Sequence, residues 1–168
     1  MAPAWRTEPR TALVCYGAFM FDVPCGPDRI TLDVATLVHV QPPLEWATTW
    51  QGHPGGLLLS LDGADDGPYE RLVDLAELVL PRLAVLETTA DAYLRSWIDV
   101  GAQFFEGAWK LRGLRLAWEG LTGPLRGIDF ELVLSIRGDD YGEWSVRFKR
   151  HTVPRSVFAA YAFSRRQW

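Results

Sequence analysis

IDFELVLSIRGDDYGEWSVRFKR, residues Ile128–Arg150, is the stretch that decides the fold class. Ile128, Phe130, Leu132, Leu134 and Ile136 fall on one side of a two-residue alternation, and Asp129, Glu131, Ser135 and Arg137 on the other. After the Gly-Asp-Asp-Tyr-Gly turn, Trp144, Val146 and Phe148 alternate with Glu143, Ser145, Arg147 and Lys149. Successive side chains of a strand point to opposite faces, so this pattern predicts an antiparallel hairpin, half in a core and half in water. It specifies an architecture and no reaction.

Working outward, Trp109–Glu119 reads as a further strand whose alternation shifts near Gly113, a bulge position. Leu72, Leu75, Ala76, Val79 and Leu80, then Leu83, Leu86, Ala90, Tyr93, Leu94, Trp97 and Ile98, recur at three- and four-residue steps, the spacing of a helix face. Pro81 interrupts them. It has no N–H and crowds the preceding turn, so a helical hairpin or one kinked helix is expected. Residues 11–23 and 29–40 read as strands, and Gly56–Leu61 as a short one. Residues 41–55, rich in proline and glycine, read as a loop, and SVFAAYAF near the end as a short helix. Strands, helical segment, strands implies an α+β fold: an antiparallel sheet with the helical element packed on one face. One domain spanning residues 1–168 is expected, with 1–10 as a flexible N-terminal segment.

The net charge of −4 argues against bulk binding to nucleic acid or an anionic membrane surface. No apolar run is long enough to span a bilayer, and MAPAWRTEPR lacks the apolar centre of a secretory signal, so a cytoplasmic protein is expected. Cys15 and Cys25 are ten apart and form no metal or redox motif; buried or free thiols are expected ahead of the alternative, a disulfide between them.

Residues for a reaction are sparse. His39, His53 and His151 are not spaced as a helical zinc pair, and no nucleophile elbow or phosphate-binding glycine loop occurs. Asp65–Asp66 and Asp139–Asp140 lie in turns, where aspartate bonds its own backbone. No catalytic residue, metal ligand or cofactor is expected.

Charge is distributed unevenly. Asp62, Asp65, Asp66, Glu70, Asp74 and Glu77 crowd a segment whose single cation is Arg71. Glu70, Asp74 and Glu77 share one helical face, so the group predicts an acidic ridge suited to a basic partner. Trp46 and Trp50, in the proline- and glycine-rich segment, are the candidate aromatic anchors beside it. The tail from Arg147 to Arg166 carries Arg147, Lys149, Arg150, Arg155, Arg165 and Arg166 and no acid.

DDYGEWSVRF, Asp139–Phe148, followed by Pro154 and Phe158, resembles the closing segment of small bacterial cytosolic domains. These include immunity proteins that neutralise the toxins of contact-dependent or secretion-system competition. The resemblance covers Gly120–Arg166. It implies a non-enzymatic protein that occludes one cognate toxin, with the acidic ridge and the two tryptophans as contacts. Two rival expectations come from the residues themselves. One is a small-molecule-binding or enzymatic domain with a pocket lined by Trp97, Trp109, Trp118 and Trp144. The other is a structural subunit of a phage or secretion assembly, contacting its neighbours through the basic tail and Trp168.

Overall fold

The computed structural model describes residues 11–16, 19–24, 29–40, 45–117, 129–150 and 158–167. The expected flexible segment 1–10, together with Trp118, His151 and Trp168, lies outside them. Among the described residues the fold is α+β, an eight-stranded mixed sheet with one long helix of 28 residues.

Strands β1 (Thr11–Tyr16) and β2 (Phe19–Pro24) form a two-stranded antiparallel hairpin of their own. The main sheet contains β3 (Val38–Val40), β4 (Glu45–Trp50), β5 (Leu57–Ala64), β6 (Gly67–Pro68), β7 (Glu106–Leu116), β8 (Asp129–Arg137), β9 (Gly142–Arg150) and β10 (Phe158–Gln167). Their order is β10-β9-β8-β7-β5-β4-β3, with β6 paired to β5. Every pair is antiparallel except β5–β7, where Leu58–Leu61 runs parallel to Gly113–Leu116. A parallel pair needs a crossover, and the helix between β5 and β7 supplies it. The expected antiparallel sheet is therefore mixed at one joint.

The helix is one continuous element. α1 (Glu70–Val79) passes through a 3₁₀ turn at Leu80–Arg82 into α2 (Leu83–Trp97). Pro81 tightens one turn instead of ending the helix, because the backbone keeps right-handed helical angles at Val79, Leu80 and Leu83. Leu72, Leu75, Ala76, Val79, Leu80, Leu83, Leu86, Ala90 and Leu94 are buried in a stripe. They meet Leu57, Leu59 and Leu61 of β5, Trp109 of β7, Phe130 and Leu132 of β8 and Val146 and Phe148 of β9 in one core.

The closing hairpin forms as its alternation predicts, with Leu134 opposite Trp144 and Phe130 opposite Phe148. The bulge in β7 lies between Leu111 and Gly113, where the register shifts. Four readings are corrected. Residues 11–23, read as one strand, hold the two paired strands β1 and β2. Residues 158–167 are strand β10, not helix. The period-2 pattern is broken by a bulge at Tyr161, which puts Phe163 on the same side as Phe158 and Ala160 and hides the alternation. Trp46 and Trp50 lie on strand β4, not in a loop. Residues 29–40 are mostly irregular, with a 3₁₀ turn at Val34–Thr36 before the short β3; the Asp33 carboxylate accepts from the Ala35 amide and starts that turn.

Candidate functional site

Trp46 and Trp50 pair with Leu61 and Leu57, so both face the helix side of the sheet. The Trp46 indole N–H donates to the Ala64 carbonyl at 2.9 Å, and its ring stacks on His39 at 4.9 Å. Gly63 lies beneath it: a Cβ there would come within 2.6 Å of the indole. Trp50 covers Gly52 in the same way. Both are half-buried and packed against the core.

The acidic ridge divides. Asp65 and Asp66, in the β5–β6 turn, and Glu70, first residue of α1, are exposed. Asp62 is half-buried, opposite Glu45, and its carbonyl accepts from the Tyr69 amide. Asp74 and Glu77 bind Arg29, whose Nε donates to Glu77 Oε2 at 2.8 Å. Hydrogen bonds to Asp74 and then Glu77 raise the Arg29 pKa above its ordinary value. Glu77 Oε1 also accepts from the Leu32 amide at 2.8 Å, and its carbonyl from the Ile30 amide. This half of the ridge therefore latches residues 29–37 to the helix. Glu77→Ala is expected to speed hydrogen exchange at the Leu32 amide at least about tenfold, with amides of β8 unchanged.

Sequence reasoning missed a second surface. Trp97, last residue of α2, is 67% exposed. Its ring centroid lies 6.5 Å from Phe163 and 6.5 Å from Tyr93. Phe163 stacks on the buried Trp144 at 6.5 Å, and Trp144 meets Trp109 edge-on at 5.6 Å. The expected aromatic pocket is thus, at Trp109 and Trp144, ring-on-ring core that surfaces at Trp97. An open hollow of about 550 Å³, lined by Arg95–Gly101, adjoins it. Phe104, in the following loop, is 88% exposed and has φ +58°. That left-handed conformation costs a bulky residue about 1–3 kcal/mol and needs surrounding structure to hold it. Here Phe104 N–H donates to Gly101 C=O, and the loop abuts Gly138, whose added Cβ would stand 2.8 Å from the Phe104 carbonyl oxygen. Tyr141, exposed, belongs to the same β8–β9 turn.

The corner is fastened from below by Asp139. Its side chain is 4% exposed, and it accepts from Arg165 Nε at 2.8 Å, from the same guanidinium's terminal NH2 nitrogen at 2.6 Å and from Trp144 Nε1 at 2.7 Å. The Arg165 hydrogen bonds, helped by Trp144, outweigh burial and hold the Asp139 carboxyl below the usual carboxylate range. One cation of the basic tail is thereby used within the chain. The corner and the acidic turn sit at opposite ends of the helix, about 40 Å apart at 1.5 Å per residue. An ordinary interface patch of about 800 Å² does not reach both.

The sheet face away from the helix carries a polar network around Glu131. Arg115, Glu131 and Arg147 stand directly opposite one another on β7, β8 and β9. The Glu131 carboxylate takes Arg147 at 3.0 Å, Arg115 at 3.2 Å and the Ser145 hydroxyl at 3.2 Å. Burial pushes its carboxyl up, but the hydrogen bonds and charges of Arg147 and Arg115 win and hold it below the usual range.

Groups for chemistry are few among the described residues. His53 Nε2 stands 3.8 Å from Glu87 Oε2, and Glu87 Oε1 accepts from the Leu111 amide. Among the described residues no three His, Cys, Asp or Glu side chains converge on a possible metal position, and no helix is long and apolar enough to cross a membrane. Comparison of the chain with protein-family models, with curated proteins and with solved structures finds no match.

Proposed function

We propose that this chain is a non-enzymatic binding protein of the immunity kind, which neutralises a bacterial toxin in the cytoplasm by docking on it and occluding it. The observation that carries the reading is Trp97, two-thirds exposed yet held in a ring cluster continuous with the core. Aromatic side chains fixed in place before binding lose little entropy on contact and dominate interface energetics. A strained, outward-facing Phe104 in the same corner fits that use, since strain at a surface persists where function needs the side chain presented. The half of the acidic ridge left exposed, Asp65, Asp66 and Glu70, contributes charge at a distance, steering a basic toxin rather than gripping it.

Co-expression with the toxin encoded beside its gene tests the reading. A stable complex and restored growth are expected. Trp97→Ala and Phe163→Ala are each expected to weaken the complex about thirtyfold or more. Full affinity in the double variant, or absence of protection by the native chain, would overturn the proposal.

A further inference from the structure

The sheet alternation sorts charge between two faces. On β7–β9 the face away from the helix carries Lys110, Arg112, Arg115, Arg137, Arg147 and Lys149. Arg166 of β10, opposite Glu143, joins them. The acids on this area are Glu106, Glu131 and Glu143, with Asp129 at the position opposite Lys149. Cations are in surplus here although the whole chain is at −4. Arg112 is the extra residue of the β7 bulge, exposed, with its Nε–H donating to Ser135 Oγ at 2.7 Å. Its bulge position points it to the same side as Arg115 instead of into the core.

This basic area borders an apolar strip. Leu58 on β5, 55% exposed, sits opposite Gly113, which pairs with Val133. Val38 on β3, 65% exposed, and Ala47 opposite it extend the strip to the sheet edge. Gly113 keeps the strip flat: a Cβ there would meet the Leu58 carbonyl at 3.2 Å and Val133 Cβ at 3.4 Å. No helix among the described residues packs on this face, since the only long helical element lies against the other.

We infer that the face of the sheet away from the helix is a second docking surface, and that its occupant is an acidic protein surface, with carboxylates over Arg112 and its neighbours and apolar side chains over Leu58 and Val38. The chemistry favours protein over nucleic acid. Glu131 sits at the middle of the cations and would repel a phosphate chain, whereas a mixed grid beside an apolar centre is the anatomy of a protein interface. The exposed large apolar groups here are aliphatic, Leu58 and Val38, and the one ring against this face among the described residues, Tyr161, is half-buried and covered by the Lys149 ammonium at 4.6 Å. The surface lies on the opposite side of the sheet from Trp97, so it stands independently of the docking corner.

The test uses the full chain and two labelled probes, an oligo-glutamate peptide of about twenty residues and a single-stranded oligonucleotide of equal charge, read by fluorescence anisotropy in low and physiological salt. Peptide binding is expected in low salt, weakened at least about tenfold by physiological salt and by the pair Lys110→Glu and Arg112→Glu. Both side chains are exposed and outside the Glu131 network, and Arg112→Gln provides a milder variant. Arg71→Glu on the helix is expected to leave peptide binding unchanged. Absence of peptide binding, indifference to the Arg112 variants, or tighter binding of the oligonucleotide would overturn the inference. A salt-sensitive dimer of the native chain, lost in Arg112→Glu, would also do so, by making a second copy the occupant.

Discussion

Asp139→Ala lowers the stability of the fold by about 3 kcal/mol, while the same change at the adjacent Asp140 stays within about 0.5 kcal/mol. The two aspartates are neighbours in one turn, but only Asp139 is buried, with three charge-assisted or indole hydrogen bonds. Removing it strands the Trp144 N–H inside and leaves Arg165 without its carboxylate, and an unmatched buried donor costs more than the bond was worth. Gly142 is tied to the same arrangement: a Cβ there would fall 2.0 Å from Asp139 Oδ2. The pH dependence follows in sign. The folded carboxyl titrates below its unfolded value, so its contribution is complete above about pH 4 and is lost as pH falls through the folded pKa. Urea unfolding from neutral to acid pH should therefore show the native chain losing its advantage over Asp139→Asn in acid. An advantage that persists undiminished at low pH would remove Asp139 as its source.

Trp109→Ala is expected to cost about 3–5 kcal/mol, and Trp97→Ala less than about 0.5 kcal/mol. Trp109 is 1% exposed, edge-on to Trp144 and beneath the Arg95 guanidinium at 5.7 Å. Truncating it opens a large hole between the sheet and the end of α2. Its indole N–H has no partner, so Trp109→Phe loses volume but no hydrogen bond and should cost less than about 1.5 kcal/mol. Thermal or urea unfolding of the three variants separates tryptophans that hold the fold from those that do not. Equal losses at Trp97 and Trp109 would place Trp97 in the core and remove the docking corner.

What could be read from the residues divides along range. The closing hairpin, the bulge at Gly113 and the helix stripe rest on local periodicity, and each formed where its spacing put it. The helix ran through Pro81 because one 3₁₀ turn absorbed the missing N–H, an accommodation composition does not reveal. Strand β4 was hidden by the prolines and glycines flanking Trp46, Thr48 and Trp50, whose alternation is correct. The ridge is partly occupied within the chain for a different reason. Glu70, Asp74 and Glu77 do share a helical side, but Arg29 neutralises two of them from 45 and 48 residues away. Trp97 belongs by spacing to the buried stripe; it is exposed because the helix ends there and Ile98 turns extended. The adjacent pair Phe104–Phe105 carried the available signal, since two successive aromatics in a turn rarely both find the interior.

The parallel joint between β5 and β7 has a consequence for how the chain assembles. β7–β8, β8–β9 and β9–β10 join strands that are neighbours in sequence, whereas β5 reaches β7 only after the whole helix has been laid down between them. The joint spans four residues on each side, yet it alone unites the two halves of the sheet. Loop closure over that crossover sets the non-local entropy cost of folding. Until β7 arrives, the leucines of β5 and the helix stripe have only each other, Trp46, Trp50 and the segment of Leu32 and Leu37 for cover, which leaves the part of the chain before β7 the more aggregation-exposed portion during synthesis.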